Sequence, residues 1–320
     1  MTRPLAVGAI AAFLTTAGTP LVTRILRENA HLDVPNSRSS HTQPTPRGGG
    51  IACLAAFGTT VTAAAPSSIP RSAVTGIVAI SALGMADDLL GGISPGARIL
   101  GQGLGAALLP SNHPFDRVLV PVGTVSMVNA VNFMDGINGI TGGTIAAWAV
   151  NALLLRTDYD TSSIDTLAGL ALGTAVGFLP WNSPQAKVFL GDSGSYLYGA
   201  LLSAALASAP RTSHRLQLAA PLLLYATDTS TTLFRRLMRG DSITAPHRDH
   251  VYQQLAINHE IGHFPIAALH TAGALTAGLL WQSKLPLTQR IAFTAAIVGG
   301  YTLAPTLIKR LHFTRKRVDQ

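Results

Sequence analysis

Long apolar stretches separated by short polar segments run along the whole chain. Eleven of them are long enough, or nearly long enough, to cross about 30 Å of hydrocarbon. They do not alternate at every second residue, as the strands of a membrane β-barrel would. The pattern predicts an all-α polytopic membrane protein with about 10–11 transmembrane helices in a single domain over residues 1–320. The stretches fall near residues 4–26, 48–66, 69–86, 98–111, 118–134, 140–156, 164–181, 194–209, 216–234, 264–283 and 287–308.

Composition and charge agree with this class. Hydrophobic residues make up 48% of the chain and charged residues only 12%, and the first stretch has no small-residue cleavage site, so we expect an uncleaved anchor. The net charge of +8 does not indicate nucleic-acid binding, because most Lys and Arg residues lie in loops after odd-numbered stretches and in the C-terminal tail. By the positive-inside rule, the N-terminus is expected outside and the C-terminus in the cytoplasm, in the cell inner membrane. The single Cys53 excludes an intrachain disulfide.

Two adjacent carboxylates, Asp87 and Asp88, end the third apolar stretch. A charge at the centre of the bilayer costs about 2.5 to 3.5 kcal/mol on insertion scales, so this pair is expected at a membrane edge or in a wet cavity. Acids in the outer loops are interpreted as solvated. The predicted orientation brings the other polar clusters to the same inner edge as the pair. Those clusters contain Arg38, His41 and Arg47; Asn129, Asn132, Asp135 and Asn138; Phe189 and Asp192; and His247, Arg248 and His250, whereas the outer acids are Asp116, Asp158, Asp160 and Asp165.

Each cluster alone has a plain structural alternative, such as a positive-inside loop or a tight turn between helices. Arg and His side chains offer donors to phosphate oxygens, and the amide-rich segment suits a planar polar group such as a nucleobase. Asp192 could cap a helix or bind a divalent cation. His247 and His250 could bind zinc, but phosphate is preferred because hard oxygens dominate this face. Together the clusters indicate magnesium-assisted chemistry on a phosphorylated substrate.

Five ordered motifs then resemble one membrane family. The chain is similar to the polyprenyl-phosphate N-acetylhexosamine-1-phosphate transferases, which include the phospho-N-acetylmuramoyl-pentapeptide transferase of peptidoglycan synthesis. The resemblance covers about residues 30–255. The motifs are Asp33-Val-Pro-Asn-Ser-Arg38-Ser-Ser-His41 with Pro46-Arg47-Gly-Gly-Gly; Asp87-Asp88 with Arg98-Ile-Leu; Asn132-Phe-Met-Asp135-Gly; Gly191-Asp192-Ser-Gly-Ser; and Asp228 leading through Arg235-Arg236 to His247-Arg-Asp-His250.

The resemblance implies a reaction and its partners. A sugar 1-phosphate would pass from a UDP-N-acetylhexosamine, either UDP-GlcNAc or a deoxy N-acetyl sugar, to undecaprenyl or decaprenyl phosphate in the bilayer. UMP would leave, and the lipid diphosphosugar would initiate a cell-envelope polysaccharide such as O-antigen. Mg²⁺ is the expected cofactor, with Mn²⁺ as the substitute, and a homodimer is compatible with the family.

The resemblance also implies residue roles. Asp87 or Asp88 would act on the lipid phosphate, Asp88 and Asp192 would bind the metal, and Phe189 would stack on uracil. One-step attack is preferred over a covalent aspartyl intermediate, since a lipid phosphate is already mostly ionised near neutral pH. The remaining candidates would bind the nucleotide and the phosphates. They are Asn129, Asn132, Asp135, Asn138, Arg38, His41, Arg47, His247, Arg248 and His250.

The sequence departs from the family at Asn138. This residue stands where many relatives carry an acid, which excludes a carboxylate role there.

One alternative function stays open, a multi-pass transporter of an anionic or phosphorylated solute. Asp228 is its best candidate for an ionisable group within the membrane. No internal repeat is visible in the sequence to favour it.

Overall fold

The described chain is almost entirely helical. The computed structural model describes residues 3–35, 41–65, 67–155, 157–242 and 247–318, with side chains through residue 310. The predicted all-α polytopic class is confirmed. The helices are α1 (Arg3–Glu28), α2 (Gly50–Ala64), α3 (Arg71–Leu90), α4 (Pro95–Ala106), α5 (Asp116–Met134), α6 (Ile140–Leu153), α7 (Ser162–Asn182), α8 (Gly191–Ser208), α9 (Thr212–Ala219), α10 (Leu223–Arg239), α11 (Val251–Gln253), α12 (His263–Gln282) and α13 (Leu287–Val318).

Six helices of the described chain are long and apolar enough to cross a membrane. They are α1, α3, α5, α7, α12 and the Leu287–Arg310 part of α13, and α2 and α6 are shorter apolar helices. The apolar stretch predicted near 98–111 forms only the 12 residues of α4, which rise about 18 Å. The chain is therefore an integral membrane protein.

The stretch predicted as one span at 216–234 is interrupted. A 3₁₀ turn, Ala220–Leu222, separates α9 from α10. Pro221 lies in that turn, and proline interrupts a continuous α-helix because it has no N–H and its ring crowds the preceding turn. The prediction of a single helix there is wrong.

α8 lies at the centre of the bundle. Nearly all its residues are buried, as expected for a helix enclosed on every side. α2 and α3 approach its first turn through glycines that have no room for a side chain: a Cβ on Gly50 would lie 2.1 Å from the N atom of Gly194, and one on Gly84 would lie 2.3 Å from the carbonyl O of Asp192. These close contacts fix the position of Asp192.

The other end of α8 lies at the opposite side of the bundle, about 27 Å away by the rise of 18 residues. The Asn112 amide there donates to the carbonyl of Ala207 at 2.8 Å. Two guanidinium nitrogens of Arg215 each donate to one oxygen of Asp116 at 2.8 Å. Asp116 is only 2% exposed, so the interpretation of this residue as solvated is wrong, whereas Asp158 and Asp160 are exposed.

Candidate active site

A short hairpin brings Arg47 to the start of α8. Strands β1 (Leu32–Asp33) and β2 (Thr45–Pro46) pair antiparallel, and Arg47 follows β2 directly. The backbone of Arg47 forms a parallel bridge with Phe189, whose N–H donates to the Pro46 carbonyl at 2.8 Å. The loop that precedes α2 and the loop that precedes α8 are thus held side by side.

Asp88 caps α8. Its two carboxylate oxygens accept the backbone N–H groups of Asp192 at 3.0 Å and Ser193 at 2.9 Å. These are orphan donors of the helix N-terminus, which also carries a positive partial charge. Gly191, at φ 74°, makes the sharp turn into the helix, and a Cβ there would meet the Asp88 carboxylate at 2.5 Å. Asp88 therefore joins the end of α3 to the start of α8.

Arg47 bridges two of the acids. Its Nε donates to Asp88 at 3.1 Å, and its terminal nitrogen donates to Asp192 at 2.6 Å. The Asp88 side chain is fully buried and that of Asp192 is 4% exposed, while the Arg47 side chain is 46% exposed. Although partial burial opposes it, the charges of Asp192 and Asp88 raise the pKa of Arg47 above its usual value. Arg47 stays charged and presents one side to solvent.

Arg98 lies across from Arg47, at the start of α4. One of its terminal nitrogens stands 3.5 Å from both Asp87 and Asp192. The positive charge of Arg98 therefore offsets the repulsion between these two acids. The sequence pattern included Arg98 in a motif but gave it no role.

Asn132 completes this first cluster from the last turn of α5. Its amide donates to Asp192 at 2.9 Å and to the Ser195 hydroxyl at 3.0 Å. A cavity of about 500 Å³ opens beside the cluster. Its lining includes Asp33, Arg47, Asp87 and Asp88, together with Leu89 and Leu90.

A second buried cluster surrounds Asp228 on α10. Its carboxylate, which is 0% exposed, accepts from the His250 ring at 2.9 Å and from the Tyr301 hydroxyl at 2.6 Å. The backbone N–H groups of Val251 and Tyr252 donate to it at 3.0 and 3.1 Å. The Asp228 carboxylate therefore holds the segment that begins at His250 through both the His250 side chain and the backbone that follows it.

Residues 132–135 lie between the two clusters. Asn132 binds Asp192 on one side, and the carbonyl of Phe133 accepts from the Tyr252 hydroxyl at 3.0 Å on the other. Asp135 is half-buried. Burial raises its pKa from 3.8 to about 7, although a hydrogen bond with Thr141 acts in the opposite direction.

The loop after α10 carries the remaining basic groups. Asp249 pairs with Arg236 at 2.8 Å and with Arg239 at 2.9 Å. Burial, the neighbouring His250 and the positive charge of Arg236 lower the pKa of His247 from 6.5 to about 4. In the free protein His247 is therefore neutral at pH 7 and offers hydrogen bonds rather than charge.

The other residues singled out in the sequence lie around these clusters. His41 contacts the Phe189 ring edge to face, with 4.9 Å between centroids. Asn129 donates to Gln102 on α4 at 2.7 Å, and Asn138 donates to the Pro184 carbonyl at 3.0 Å. Arg248 is half-buried beside His247. Arg38 lies outside the described residues.

Known proteins similar to this chain are transferases. The model of glycosyl transferase family 4 matches residues 71–209, a range that contains Asp87, Asp88, Asn132 and Asp192. A decaprenyl-phosphate N-acetylglucosaminephosphotransferase of Mycobacterium leprae is 29% identical over an alignment that covers 80% of this chain and 77% of that protein. Residues 71–209 are therefore similar to glycosyl transferase family 4, and these similarities indicate a phospho-sugar transferase.

Two further relatives of this glycosyl transferase extend the comparison. A probable undecaprenyl-phosphate N-acetylglucosaminyl 1-phosphate transferase of Bacillus subtilis is 24% identical, with coverage of 87% of this chain and 85% of that protein. A phospho-N-acetylmuramoyl-pentapeptide-transferase of Saccharopolyspora erythraea is 39% identical over 94 residues, 23% of this chain and 26% of that protein. Similarity to proteins named as transferases favours an enzyme over the transporter alternative.

Sequence reasoning missed the support that α12 and α13 give to this transferase. Tyr301 and His270 lie in apolar stretches far along the chain from the motifs, and their spacing from Asp228 follows no local period. The only sequence signal for a polar partner was that a hydroxyl and an imidazole lie within membrane-spanning helices, where such groups are rarely placed without one.

Proposed function

We propose that this membrane enzyme transfers GlcNAc 1-phosphate from UDP-GlcNAc to a polyprenyl phosphate. Its relatives indicate a phospho-sugar transferase, and those from Mycobacterium leprae and Bacillus subtilis are named for GlcNAc phosphate transfer to decaprenyl and undecaprenyl phosphate. The observation that carries the proposal is the interlocked cluster of Arg47, Arg98 and three aspartates beside an open cavity. The product, a polyprenyl-diphosphate-linked sugar, would initiate a cell-envelope polysaccharide such as O-antigen.

The reaction breaks one phosphoanhydride bond and forms another. An oxygen of the lipid phosphate attacks the β-phosphorus of the donor, and the bond from that phosphorus to the bridging oxygen breaks. UMP departs with that oxygen and its electron pair. Because both reactants are anions, fixed positive groups must offset their repulsion and the charge that grows on UMP. Arg47 and Arg98 provide such groups, each held in place by two carboxylates.

Magnesium fits this donor set. Among the described residues, no group of three or more His, Cys, Asp or Glu side chains is arranged to enclose a metal. The carboxylates of Asp87 and Asp192, which both lie 3.5 Å from the same nitrogen of Arg98, nevertheless match the sparse oxygen ligands of Mg²⁺, which uses one or two carboxylates and takes phosphate oxygens and water for the rest. We assign Asp87 and Asp192 as its protein ligands. Bound there, Mg²⁺ or Mn²⁺ would neutralise charge on the diphosphate.

This assignment gives Asp88 a different role from the one that the family resemblance implies. Both of its oxygens accept hydrogen bonds from α8 and one also accepts from Arg47. Asp88 therefore positions Arg47 and Asp192 for the reaction rather than ligating the metal. Asp87 also lines the cavity, and we assign it as the carboxylate beside the lipid phosphate.

The nucleotide is assigned to the other side of Asp192. The Phe189 ring would stack on uracil next to His41, and Asp135 and Asn138 would line the same region. Arg248, His247 and His250 would contact the diphosphate from the loop after α10. Because UDP-sugars are cytoplasmic, we assign the site to the cytoplasmic side of the inner membrane, with the N-terminus outside.

Product formation tests the proposal directly. Protein in lipid nanodiscs is incubated with decaprenyl or undecaprenyl phosphate, Mg²⁺ and radiolabelled UDP-GlcNAc, and in parallel with UDP-GalNAc. The expected result is one UMP released for each labelled sugar extracted with the lipid, with activity lost on adding EDTA and regained with Mg²⁺ or Mn²⁺. The proposed donor is wrong if another UDP-sugar is used and UDP-GlcNAc is not, and the reaction class is wrong if UDP rather than UMP is released.

A further inference from the structure

The buried polar groups next to the first cluster form a directed chain. An ionised carboxylate can only accept hydrogen bonds, so the contact of 2.9 Å makes Nδ1–H of His250 the donor to Asp228. For the same reason the Tyr301 hydroxyl must donate its hydrogen to Asp228 at 2.6 Å. The Tyr301 oxygen is then left to accept from Nε2–H of His270 at 2.9 Å. The Asp228 carboxylate thus fixes which group donates in each of these three hydrogen bonds.

Burying this series of hydrogen-bonded polar groups costs free energy of desolvation. Asp228 is 0% exposed, His270 1% and Tyr301 6%, and polar groups in such surroundings are stabilised only by their partners. Most side chains described in α13, those of residues 287–310, face outward, and Tyr301 is one of the few that are buried. A phenylalanine would fill the same space without a hydroxyl, so packing does not explain the tyrosine.

The far end of the chain is the His250 ring. That ring stacks on the ring of His247 at an angle of 27°, with 5.0 Å between centroids, and its centroid lies 6.4 Å from that of Phe133. Phe133 follows Asn132, which binds Asp192. With Nδ1 held by Asp228, the Nε2 edge of His250 is turned away from α10 and α13. The orientation of the imidazole is therefore set by Asp228.

We propose that Tyr301 is a positioning residue: by its hydrogen bond to Asp228 it holds the His250 imidazole in the orientation that phosphoryl transfer requires. The last helix, α13, is thereby part of the catalytic apparatus. This inference rests on the proposed function, in which His250 contacts the diphosphate. His270 supports Tyr301 from α12 and orients its hydroxyl toward Asp228.

Tyr301→Phe tests the inference, because it removes one hydroxyl and keeps the ring. Losing one hydrogen bond to a charged group is expected to lower kcat by about 10- to 100-fold. Tyr198→Phe is the matched control. Tyr198 is also fully buried, at 1% exposure, but its hydroxyl lies 3.8 Å from the Sγ of Cys53 on α2, away from both clusters. We expect it to retain the parent kcat.

A spectroscopic measurement separates positioning from a loss of folded protein. In protein labelled with ¹⁵N-histidine, the Nδ1–H of His250 bound to a carboxylate should give a downfield proton resonance, assigned by its loss in His250→Gln. The resonance should shift or disappear in Tyr301→Phe and stay in Tyr198→Phe. A parent kcat, or an unshifted resonance, in folded Tyr301→Phe would overturn the inference.

Two further outcomes remain decisive. If Tyr301→Phe does not fold, Thr232→Val removes another donor to Asp228, at 3.1 Å, without changing side-chain shape. A parent kcat and an unshifted resonance in that variant would overturn the inference. If the parent protein makes no lipid-linked GlcNAc, the proposed function fails, while the resonance still reports whether Tyr301 orients His250.

Discussion

Asp88 accepts a hydrogen bond from the backbone N–H of Asp192 at 3.0 Å, while both side chains bind the same guanidinium of Arg47. One acid thus caps the helix that carries the other. The distance and direction of Asp192 relative to α3 are therefore set by hydrogen bonds rather than by apolar packing alone. Small changes in either acid should affect the reaction more than the fold.

Asp88→Asn tests that coupling. Asparagine keeps one acceptor oxygen for the α8 backbone but replaces the other with an NH2 group that cannot accept a hydrogen bond, so we expect the protein to insert and fold with a lowered Tm. The loss of charge beside Arg47 should lower kcat by about 100-fold or more. Asp160→Asn, at an exposed position away from both clusters, should retain full activity. Full turnover in Asp88→Asn would contradict the assigned role.

Arg47→Lys tests the need for a planar fork. Arg47 reaches Asp88 with Nε and Asp192 with a terminal nitrogen, which a single ammonium group cannot reproduce. We expect kcat to fall by about tenfold or more and the Mg²⁺ requirement to change. The measurement is a titration of initial rate against Mg²⁺.

The control for Arg47→Lys is Arg24→Lys, because Arg24 also pairs with an acid, Glu28, but is 76% exposed on α1. It should match the parent in rate and in Mg²⁺ titration. If both lysine variants behave alike, the bridging geometry of Arg47 has no catalytic importance.

Gly50→Ala tests the close approach of α2 to α8. Its Cβ would lie 2.1 Å from the Gly194 backbone nitrogen, whereas a Cβ on Gly58 of the same helix would have no neighbour within 4 Å. Gly50→Ala should lower Tm strongly and impair activity, because backbone must move. Gly58→Ala should raise stability by about 0.5 to 1 kcal/mol through helix propensity. Equal Tm values for the two variants would show that the contact is not tight.

Asp135 should make the stability of the protein fall as pH rises. Since its pKa is raised from 3.8 to about 7 by burial, its contribution to stability is full below pH 4 and is lost as pH rises toward and above 7. Tm of the parent should therefore decline between pH 5 and 8, and Asp135→Asn should flatten that decline. Asp160→Asn should keep the parent slope. An unchanged slope in Asp135→Asn would refute the raised pKa.

Local patterns in the sequence were enough to locate most helices, because apolar stretches must form helices in a bilayer where backbone groups have no water partners. They failed at 216–234, where Pro221 ends one helix inside an apolar stretch, and at Asp116, whose partner Arg215 is 99 residues away. Neither hydropathy nor spacing reveals such a distant partner.

The sequence by itself determined the membrane class, the resemblance to a transferase family and the acids and bases that meet at one end of the bundle. Only the tertiary structure decided their arrangement: Asp88 on the α8 N-terminus, Asp87 and Asp192 on Arg98, and Tyr301 behind Asp228. The reason is physical. Residue type and local order fix which groups are available and which helix carries them, but hydrogen-bond partners are chosen by how helices distant in sequence pack against one another.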